Sequence, residues 1–500
     1  MRGKSNNRFK LTTNEKGWIL YDVGNSAFIL MVSTILPIYF NYLAENAGIS
    51  SVDYLAYWGY AASIVTLIVA VLGPVLGTLA DTKGFKKPIF SGCVIAGCLA
   101  CVAMGITGSW ISFLVVFIIA KVCFSSSLVF YDSMLSDVTT DERMDIVSSN
   151  GYAYGYAGSC IPFIISLIFV LGYNKIGISL SAAMLISFVI VALWWFLMTV
   201  PLIKNYKQIN YVERKPHAVK ESFVRIKDTL CGVVKQKKIF LFLVAFFFYI
   251  DGVYTIIDMA TAYGSALGLN STGLLLALLV TQLVAFPFAI IFGRLASKYS
   301  TGRLITACII AYIGITVFAV FMKSQWQFWV LAIFVGMFQG GIQALSRSYF
   351  AKIIPAERSG EYFGLMDICG KGASFLGTLV VGAASQIFGS INIGVSMIVL
   401  LFTAGLVLFI MTDKLDIKED YRDIYNGIEQ KVSPIYITYN SSVYDYKPWK
   451  DNYVYKYMYI VVMILAIAAI IYQLISYNKA RSRTRSIVKN IGAGNVQMAF

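Results

Sequence analysis

The sequence GTLADTKGFKK (Gly77 to Lys87) closes an apolar run at residues 55–80, and GRLASKYSTGR (Gly293 to Arg303) closes a similar run at residues 272–296. Each stretch places a glycine, a leucine and a small residue where the apolar run ends, and basic residues after it. Because the two stretches match in residue type and in position, they indicate an internal repeat.

A second pair of stretches supports this repeat. LYDVGNSAF (Leu20 to Phe28) and FYIDGVYT (Phe248 to Thr255) each set a tyrosine, an aspartate and a glycine within otherwise apolar sequence. Two similar halves in the same orientation, joined by a basic segment, are typical of transporters built from parallel repeats.

The composition predicts a polytopic membrane protein. Of 500 residues, 58% are hydrophobic and 13% are charged, whereas soluble chains carry about 45–50% apolar and about 25% charged residues. A span needs about 20 mainly apolar residues, and runs of this length that do not alternate form helices rather than barrel strands. We predict twelve core spans, at residues 17–43, 55–80, 88–107, 111–135, 147–172, 179–203, 239–264, 272–296, 304–322, 327–350, 362–387 and 392–412.

The lysines and arginines orient these spans. With a cytoplasmic N-terminus, the inside segments of the core hold 23 of them and the outside loops hold two, Lys175 and Lys323. By the positive-inside rule, both ends of the core are therefore cytoplasmic. The net charge of +15 is then mainly a signal of topology, and we expect no nucleic-acid partner.

We predict an all-α membrane protein in five parts. These are a cytoplasmic N-terminus (1–16), a six-helix bundle (17–203), a basic cytoplasmic linker (204–238), a second six-helix bundle (239–412) and a tail (413–500). The tail contains a further apolar run at 455–477, whose length favours an extra membrane-spanning helix. Because such a span would place the basic residues after it outside, a helix along the inner surface is the alternative.

Several motifs resemble a known superfamily. The pattern G-x-L-A-D-x-x-G-x-K-K at Gly77 is similar to the signature of the major facilitator superfamily. Other stretches resemble its vacuole-effluxer-like family, which includes fungal vacuolar amino-acid effluxers and bacterial members: YDVGNSAF at Tyr21, SSNGYAYGY at Ser148, QGGIQALSRSYFAKIIP at Gln339 and EYFGLMDICGKGASFLG at Glu361. The resemblance covers about residues 15–412 and implies the major facilitator fold, with two six-helix bundles around a central cavity.

The resemblance also implies a cytoplasmic latch between helices. Its residues are Gly77, Asp81, Gly84, Lys86 and Lys87. Gly84 would form a tight turn, and Asp81 with the basic residues would hold the helices together. The second copy of the signature carries Ser297 where it could have carried an aspartate, so we expect the latch to be asymmetric.

Ionisable side chains within spans are costly and are functional candidates by default. The resemblance implies that helices 1, 4, 7 and 10 line the cavity, and most charged residues in spans fall on these helices. The candidates for substrate binding and proton coupling are Asp22, Asn25, Lys121, Asp132, Asp251, Asp258, Gln339, Gln343 and Arg347. Helical spacing places the last three on one polar stripe.

Some polar and small residues within spans favour a structural role instead. Arg347 suits a latch at the cytoplasmic face as well as it suits a substrate, and Asp367 with Lys371 favours a structural pair at i, i+4. Asp132 stands where the resemblance leads us to expect a neutral asparagine. Three glycines of helix 5 favour close contact between helices; they are Gly151, Gly155 and Gly158.

We expect a secondary active transporter whose halves rock around a site near the middle of the membrane. The solute is small and polar or zwitterionic, and the resemblance favours amino-acid efflux. Lys121 or Arg347 would hold its carboxylate, and Asp22 or Asp251 its amine. Asp251 or Asp22 could couple protons, because desolvation and nearby cations set the charge state of a buried carboxylate. Asp251 is the stronger functional candidate, since it is central, is followed by Gly252 and has a counterpart in Asp22 of the other half. A transporter-fold scaffold or sensor and an uncoupled uniporter are the alternatives.

The sequence gives no reason to expect an enzyme, a cofactor or a metal. It has no P-loop, no Ser-His-Asp set and no cysteine spacing typical of zinc. We expect a monomer whose partners are the solute, protons and the lipid bilayer. Its membrane would be the cell membrane in a bacterium, or a vacuolar or lysosome-like membrane in a eukaryote.

Overall fold

The computed structural model describes residues 10–49, 51–213, 232–388 and 390–415. Over these residues the chain forms twelve long helices, with a helical turn at Leu135–Val138 and a 3-10 turn at Ala356–Arg358. The long helices are α1 Thr13–Asn46, α2 Ser51–Asp81, α3 Lys86–Met104, α4 Trp110–Ser133, α5 Asp141–Ile176, α6 Leu180–Asn205, α7 Lys237–Ala266, α8 Ser271–Leu295, α9 Thr301–Val320, α10 Gln325–Ile353, α11 Ser359–Phe388 and α12 Ile391–Lys414.

These helices confirm the predicted all-α membrane fold. Within the described residues, eleven helices are long and apolar enough to cross a membrane. The remaining one, α11, is apolar over its second part, Leu376–Phe388, because Glu361, Asp367 and Lys371 lie in its first part. The twelve predicted spans each correspond to one long helix.

Some helices extend beyond the predicted spans. α5 begins at Asp141 rather than at residue 147, and α10 ends at Ile353 rather than at residue 350. Hydropathy detects only the part of a helix that lies in hydrocarbon, whereas backbone hydrogen bonding continues into the polar turns on either side. Several charged residues that the sequence placed in loops therefore lie on helices.

The two halves repeat one arrangement. In the first half α1 contacts α5 and α6, and in the second half α7 contacts α11 and α12. Glycines allow the close approach in both cases: a Cβ atom at Gly24 would lie 3.0 Å from the Trp195 carbonyl oxygen, and one at Gly405 would lie 2.8 Å from the Tyr249 Cβ atom. The repeat inferred from the motifs therefore has a structural counterpart.

The halves meet through α2 against α11 and through α5 against α8 and α10. The glycine that opens each copy of the signature lies at one of these crossings. A Cβ atom at Gly77 would overlap the Gly360 carbonyl oxygen, and one at Gly293 would lie 2.6 Å from the Ser149 Cβ atom. We call the end of the bundle at which α2 ends and α3 begins the signature end.

Three predictions fall on residues outside the described part of the chain. They concern the tail helix at 455–477, the central part of the linker at 214–231 and the side chain of Lys371. The boundaries of the five predicted parts stay predictions as well.

Candidate functional site between the two halves

Arg347 on α10 reaches from the second half into the first near the signature end. Its guanidinium lies 3.3 Å from Asp22 Oδ2 on α1 and 3.1 Å from Asp132 Oδ1 on α4. Its Nε donates to Ser148 Oγ on α5 at 3.0 Å, and Nη2 donates to the Ser148 carbonyl oxygen at 3.1 Å. Only 4% of Arg347 is exposed. One buried side chain therefore joins α10 to three helices of the other half.

Three aromatic rings surround the same guanidinium. Its Cζ atom lies 4.5 Å from the ring centre of Trp18, 4.4 Å from that of Tyr152 and 5.3 Å from that of Tyr131. All three distances are within the range of about 6 Å at which a cation is attracted to an aromatic face. We call these three rings, together with Asp22 and Asp132, the Arg347 cage.

Glycine makes room for this ion pair. A Cβ atom at Gly151 on α5 would lie 2.7 Å from Asp22 Oδ2 and 3.1 Å from Arg347 Nη2. Gly155 and Gly158 bring the next turns of α5 against α1 in the same way. The three helix-5 glycines thus have the close-contact role that the sequence favoured.

The polar stripe on α10 continues away from Arg347. Gln343 Oε1 accepts a hydrogen bond from the Tyr156 hydroxyl on α5 at 2.7 Å, and Gln339 is buried one turn further along. Asn25 lies on α1 with its Nδ2 3.5 Å from Asp22 Oδ1. Gln343 and Arg347 on this stripe therefore both contact the other half.

Asp251 on α7 has a different environment. It is fully buried; its Oδ1 accepts from the Gly377 backbone N–H at 2.8 Å and from Thr255 Oγ1 at 3.3 Å. Its Oδ2 has no hydrogen-bond partner within the described residues. All of these contacts lie within the second half, so this carboxylate is wedged between α7 and α11.

The remaining candidates are more dispersed. Lys121 is half-buried, and its Nζ lies 4.9 Å from the ring centre of Phe124, whereas Asp258 is exposed. Asp367 on α11 is half-buried. The ion pairs described above thus join three of the candidates, Asp22, Asp132 and Arg347.

The signature residues hold α2 against α11. Asp81, fully buried, accepts from the backbone N–H groups of Gly360 at 2.7 Å and Glu361 at 2.9 Å. These are free donors in the first turn of α11, where a negative charge is also favoured by the helix dipole. Gly84 adopts a left-handed φ of 78°, as a tight turn requires.

Lys86 is also fully buried, and it bonds across the halves. Its Nζ donates to Ser133 O at 3.3 Å, to Asp137 Oδ2 at 3.4 Å and to Ser359 Oγ at 3.4 Å. Lys87 is half-buried at the start of α3 and takes no part in these hydrogen bonds. The charge at Lys86 is thus satisfied between α3, α4 and the start of α11.

The first residues of the linker fold back onto this network. The hydroxyl of Tyr206 and the backbone N–H of Asn210 both donate to Asp137. Burial next to Asp137 raises the pKa of the Tyr206 hydroxyl, so that it remains a neutral donor. Lys83 at the exposed edge pairs with Glu213 at 2.9 Å, which raises the pKa of Lys83.

A second contact between the halves involves an aspartate that the sequence had placed in a loop. Asp145 on α5 accepts from Ser348 Oγ at 2.6 Å and from Thr301 Oγ1 at 2.8 Å, and it pairs with Lys352. Asp145 thus joins α5 to the start of α9 and to the end of α10, next to the second copy of the signature. Asp81 and Asp145 both belong to the first half, but Asp81 meets backbone N–H groups and Asp145 meets side chains.

Comparison with known sequences assigns the family. A family profile described as "Vacuole effluxer Atg22 like" matches residues 12–143 and 135–420. The chain belongs to this Atg22-like family. An MFS-type transporter of Bacillus subtilis (strain 168), YxiO, is 43% identical over 404 residues, which are 80% of this chain and 94% of the relative. Autophagy-related protein 22 of Saccharomyces cerevisiae (strain YJM789) is 23% identical over 460 residues, 75% of this chain and 86% of the relative.

Solved structures of similar shape confirm the major facilitator fold of the Atg22-like chain. The transporter FucP in its outward conformation superposes with a TM-score of 0.59 and 14% identity, covering 81% of this chain and 98% of FucP. A bacterial homologue of the iron transporter ferroportin in its outward-facing state superposes with a TM-score of 0.57 and 15% identity, covering 81% of this chain and 99% of the homologue. Together with the family assignment and the MFS-type relative, this fold shows that the chain is a membrane transporter of the major facilitator type.

Sequence reasoning missed part of this Atg22-like site. Trp18, Tyr131 and Tyr152 are ordinary aromatic residues of apolar helices, and only their convergence on Arg347 distinguishes them. Asp145 and Lys352 could have been found, because α5 and α10 each extend by about a turn beyond their apolar runs. A test of whether charged residues just outside each span continue its helical face would have detected both.

Proposed function

We propose that this Atg22-like protein is a secondary active transporter that moves a small polar or zwitterionic solute by alternating access. The observation that carries the proposal is the contact of Arg347 with Asp22 and Asp132. It joins the two halves at the signature end through buried charges. A movement that opens this end must break the contact, and the freed groups then become available to a solute.

The charges suit a solute that carries both signs. Once it is separated from Arg347, Asp22 can bind the amine of the solute. Arg347 can then donate two hydrogen bonds to the carboxylate of the solute in bidentate geometry. The second choice for the carboxylate is Lys121 on α4, and the second choice for the amine is Asp251 on α7. The description of the family as vacuole effluxers supports efflux, and amino acids are the class that we propose.

Proton coupling is assigned to Asp251. An ionised carboxylate that is fully buried, with one oxygen that has no hydrogen-bond partner among the described residues, is costly to maintain without a cation. This supports a proton on Asp251 in the present state and its release when water reaches α7 and α11. Protons would then be exchanged in step with the movement of the halves.

We propose that the signature end faces the cytoplasm. Basic residues gather at this end, among them Lys83, Arg143, Lys298 and Arg303, as the positive-inside rule requires of cytoplasmic loops. With this orientation the contacts described above close the cytoplasmic side.

The test is solute counterflow in proteoliposomes made with the full chain. We expect labelled amino acid to exchange in a manner that depends on pH, and Asp251→Asn to exchange with little pH dependence. Thr316→Val, which removes a buried hydroxyl on α9, is a control that keeps the pH profile. Unchanged pH dependence in Asp251→Asn would disprove the coupling assignment, and no counterflow of any amino acid would favour a non-transporting scaffold.

A further inference from the structure

The surroundings of Arg347 form a binding site for a cation that belongs entirely to the first half. Trp18 and Asp22 lie on α1, Tyr131 and Asp132 on α4, and Tyr152 on α5. The cation that fills the site comes from α10, in the second half. The cage and its occupant are therefore on opposite sides of the division that alternating access opens.

The walls of the cage are held without help from Arg347. Trp18 Nε1 donates to the Tyr131 carbonyl oxygen at 2.9 Å, and the two rings stack with centres 4.3 Å apart. The Tyr21 hydroxyl lies 2.6 Å from Ser127 Oγ, which ties the same turn of α1 to α4 a second time. A site that is organised before its ligand arrives binds that ligand with a smaller entropic cost.

The cage has more acceptors than Arg347 satisfies. Two carboxylates face one guanidinium, and the fully buried hydroxyl of Tyr131 has no hydrogen-bond partner within the described residues. Asp132 and Tyr152 keep part of their surface exposed, so the cage has a side that solvent reaches. When Arg347 withdraws, two acids and three aromatic faces are left without their cation, and such a combination favours an organic cation.

We propose that Arg347 is a tethered substitute for part of the solute, and that the Arg347 cage binds the guanidinium or ammonium group of a cationic solute when the signature end opens. This inference rests on the proposed function and specifies its substrate class. The solute and Arg347 compete for one site, so a bound cation stabilises the state in which the halves have separated there. Asp132, the acid found where a neutral residue was expected, supplies the second negative charge.

The cage itself is tested first, in the full-length Arg347→Ala variant purified in detergent. The probes are guanidinium and its neutral analogue of the same shape, urea, both at concentrations far below those that denature. We expect guanidinium to raise the thermal unfolding midpoint of Arg347→Ala by several degrees, and urea to leave it unchanged. The wild type, with its cage filled, should not respond to either.

The response must depend on the acids of the cage. We expect the double variant Arg347→Ala/Asp132→Asn to lose most of the guanidinium effect. Equal responses to guanidinium and urea, or no response to guanidinium, would overturn the proposal. If Arg347→Ala does not fold, Arg347→Met fills more of the space and is titrated in the same way.

The role in transport is tested with wild-type protein in proteoliposomes. L-arginine and L-citrulline differ in that a guanidinium replaces a neutral urea group of the same shape. We expect arginine to exchange at least about tenfold faster than citrulline, as the loss of charge-assisted hydrogen bonds implies, and Asp132→Asn to narrow this ratio. Equal exchange of both would refute the cation site and leave the proposed function standing. If neither these two nor leucine nor glutamate exchanges, the proposed function fails, and the detergent experiment alone decides the cage.

Discussion

Asp22 and Asp251 lie in corresponding regions of the two halves and have opposite surroundings. Each is on the first helix of its half, and each is crowded by a glycine of the fifth helix, Gly151 for Asp22 and Gly377 for Asp251. Asp22 is paired with Arg347 of the other half, whereas Asp251 bonds only to groups of its own half among the described residues. The repeat sets the position of the carboxylate, and the opposite half decides whether a cation reaches it.

We expect the largest loss of stability when the positive charge of Arg347 is removed. Arg347→Ala leaves the buried carboxylate of Asp22 and the partly exposed one of Asp132 without their partner, and breaking a buried ion pair in this way costs about 3–5 kcal/mol. Thermal or denaturant unfolding in detergent measures the loss. Arg294→Ala, an exposed arginine at the end of α8, is the matched control and should change stability by less than about 0.5 kcal/mol. Similar losses in both variants would show that Arg347 has no special role.

The two aspartates should respond differently to the same substitution. Asp22→Asn weakens a charge-assisted contact across the halves, and we expect a loss of about 1.5–3 kcal/mol in the free energy of unfolding. Asp251→Asn keeps an oxygen for the Gly377 N–H and removes no ion pair, so its loss should stay below about 1 kcal/mol. Equal losses would mean that the partner from the opposite half does not distinguish the two sites.

The neighbouring glycines offer a sharper version of this comparison. Gly151→Ala and Gly377→Ala each force a methyl group against a carboxylate oxygen, and we expect each to cost about 1–3 kcal/mol. Only Gly151→Ala should also slow transport, because it displaces the pair between the halves. Gly314→Ala on α9, where no atom lies within 4 Å of the added group, should not destabilise the protein. A transport defect in Gly377→Ala equal to that in Gly151→Ala would contradict the distinction.

The smallest expected effect concerns a second ion pair between the halves. It tests whether the loss of stability depends on the burial of the pair or on its position between the halves. Asp145 also pairs across the halves, but its partner Lys352 keeps 26% of its side chain exposed. We therefore expect Lys352→Met to cost about 1 kcal/mol or less, as for other solvent-screened pairs, measured in the same unfolding assay. Lys83→Ala, which removes an exposed pair between the first half and Glu213 of the linker, should be indistinguishable from wild type. A loss in Lys352→Met as large as that in Arg347→Ala would show that crossing the halves matters more than burial.

Prediction from sequence succeeded where a signal is local. The apolar runs identified the twelve long helices of the described residues, because a backbone in hydrocarbon must satisfy its hydrogen bonds within one segment. The spacing of Gln339, Gln343 and Arg347 correctly placed them on one face, and Gly84 has the left-handed turn that its motif predicted. Each of these inferences needs only a short stretch of chain.

Prediction failed or stayed open where the partner lies far away in sequence. Arg347 was equally compatible with a latch and with a substrate site, and its cage is built from residues that precede it by about two hundred positions or more. The same holds for Asp81, whose partners are backbone N–H groups of α11, and for Asp145, whose partners lie on α9 and α10. A local sequence pattern does not indicate which distant backbone group or aromatic ring a charged side chain will contact.

The order of residues therefore establishes that this chain is a membrane bundle of two like halves, and it marks the few charged positions that such a bundle must accommodate. How those charges are neutralised depends on the folded arrangement: Asp22 and Asp132 meet a guanidinium inside a ring of aromatic side chains, while Asp251 meets backbone and hydroxyl groups. The physical reason is that the hydrophobic effect acts on composition and periodicity along the chain, whereas electrostatic interactions of buried groups depend on distances of a few ångströms between helices that are distant in sequence.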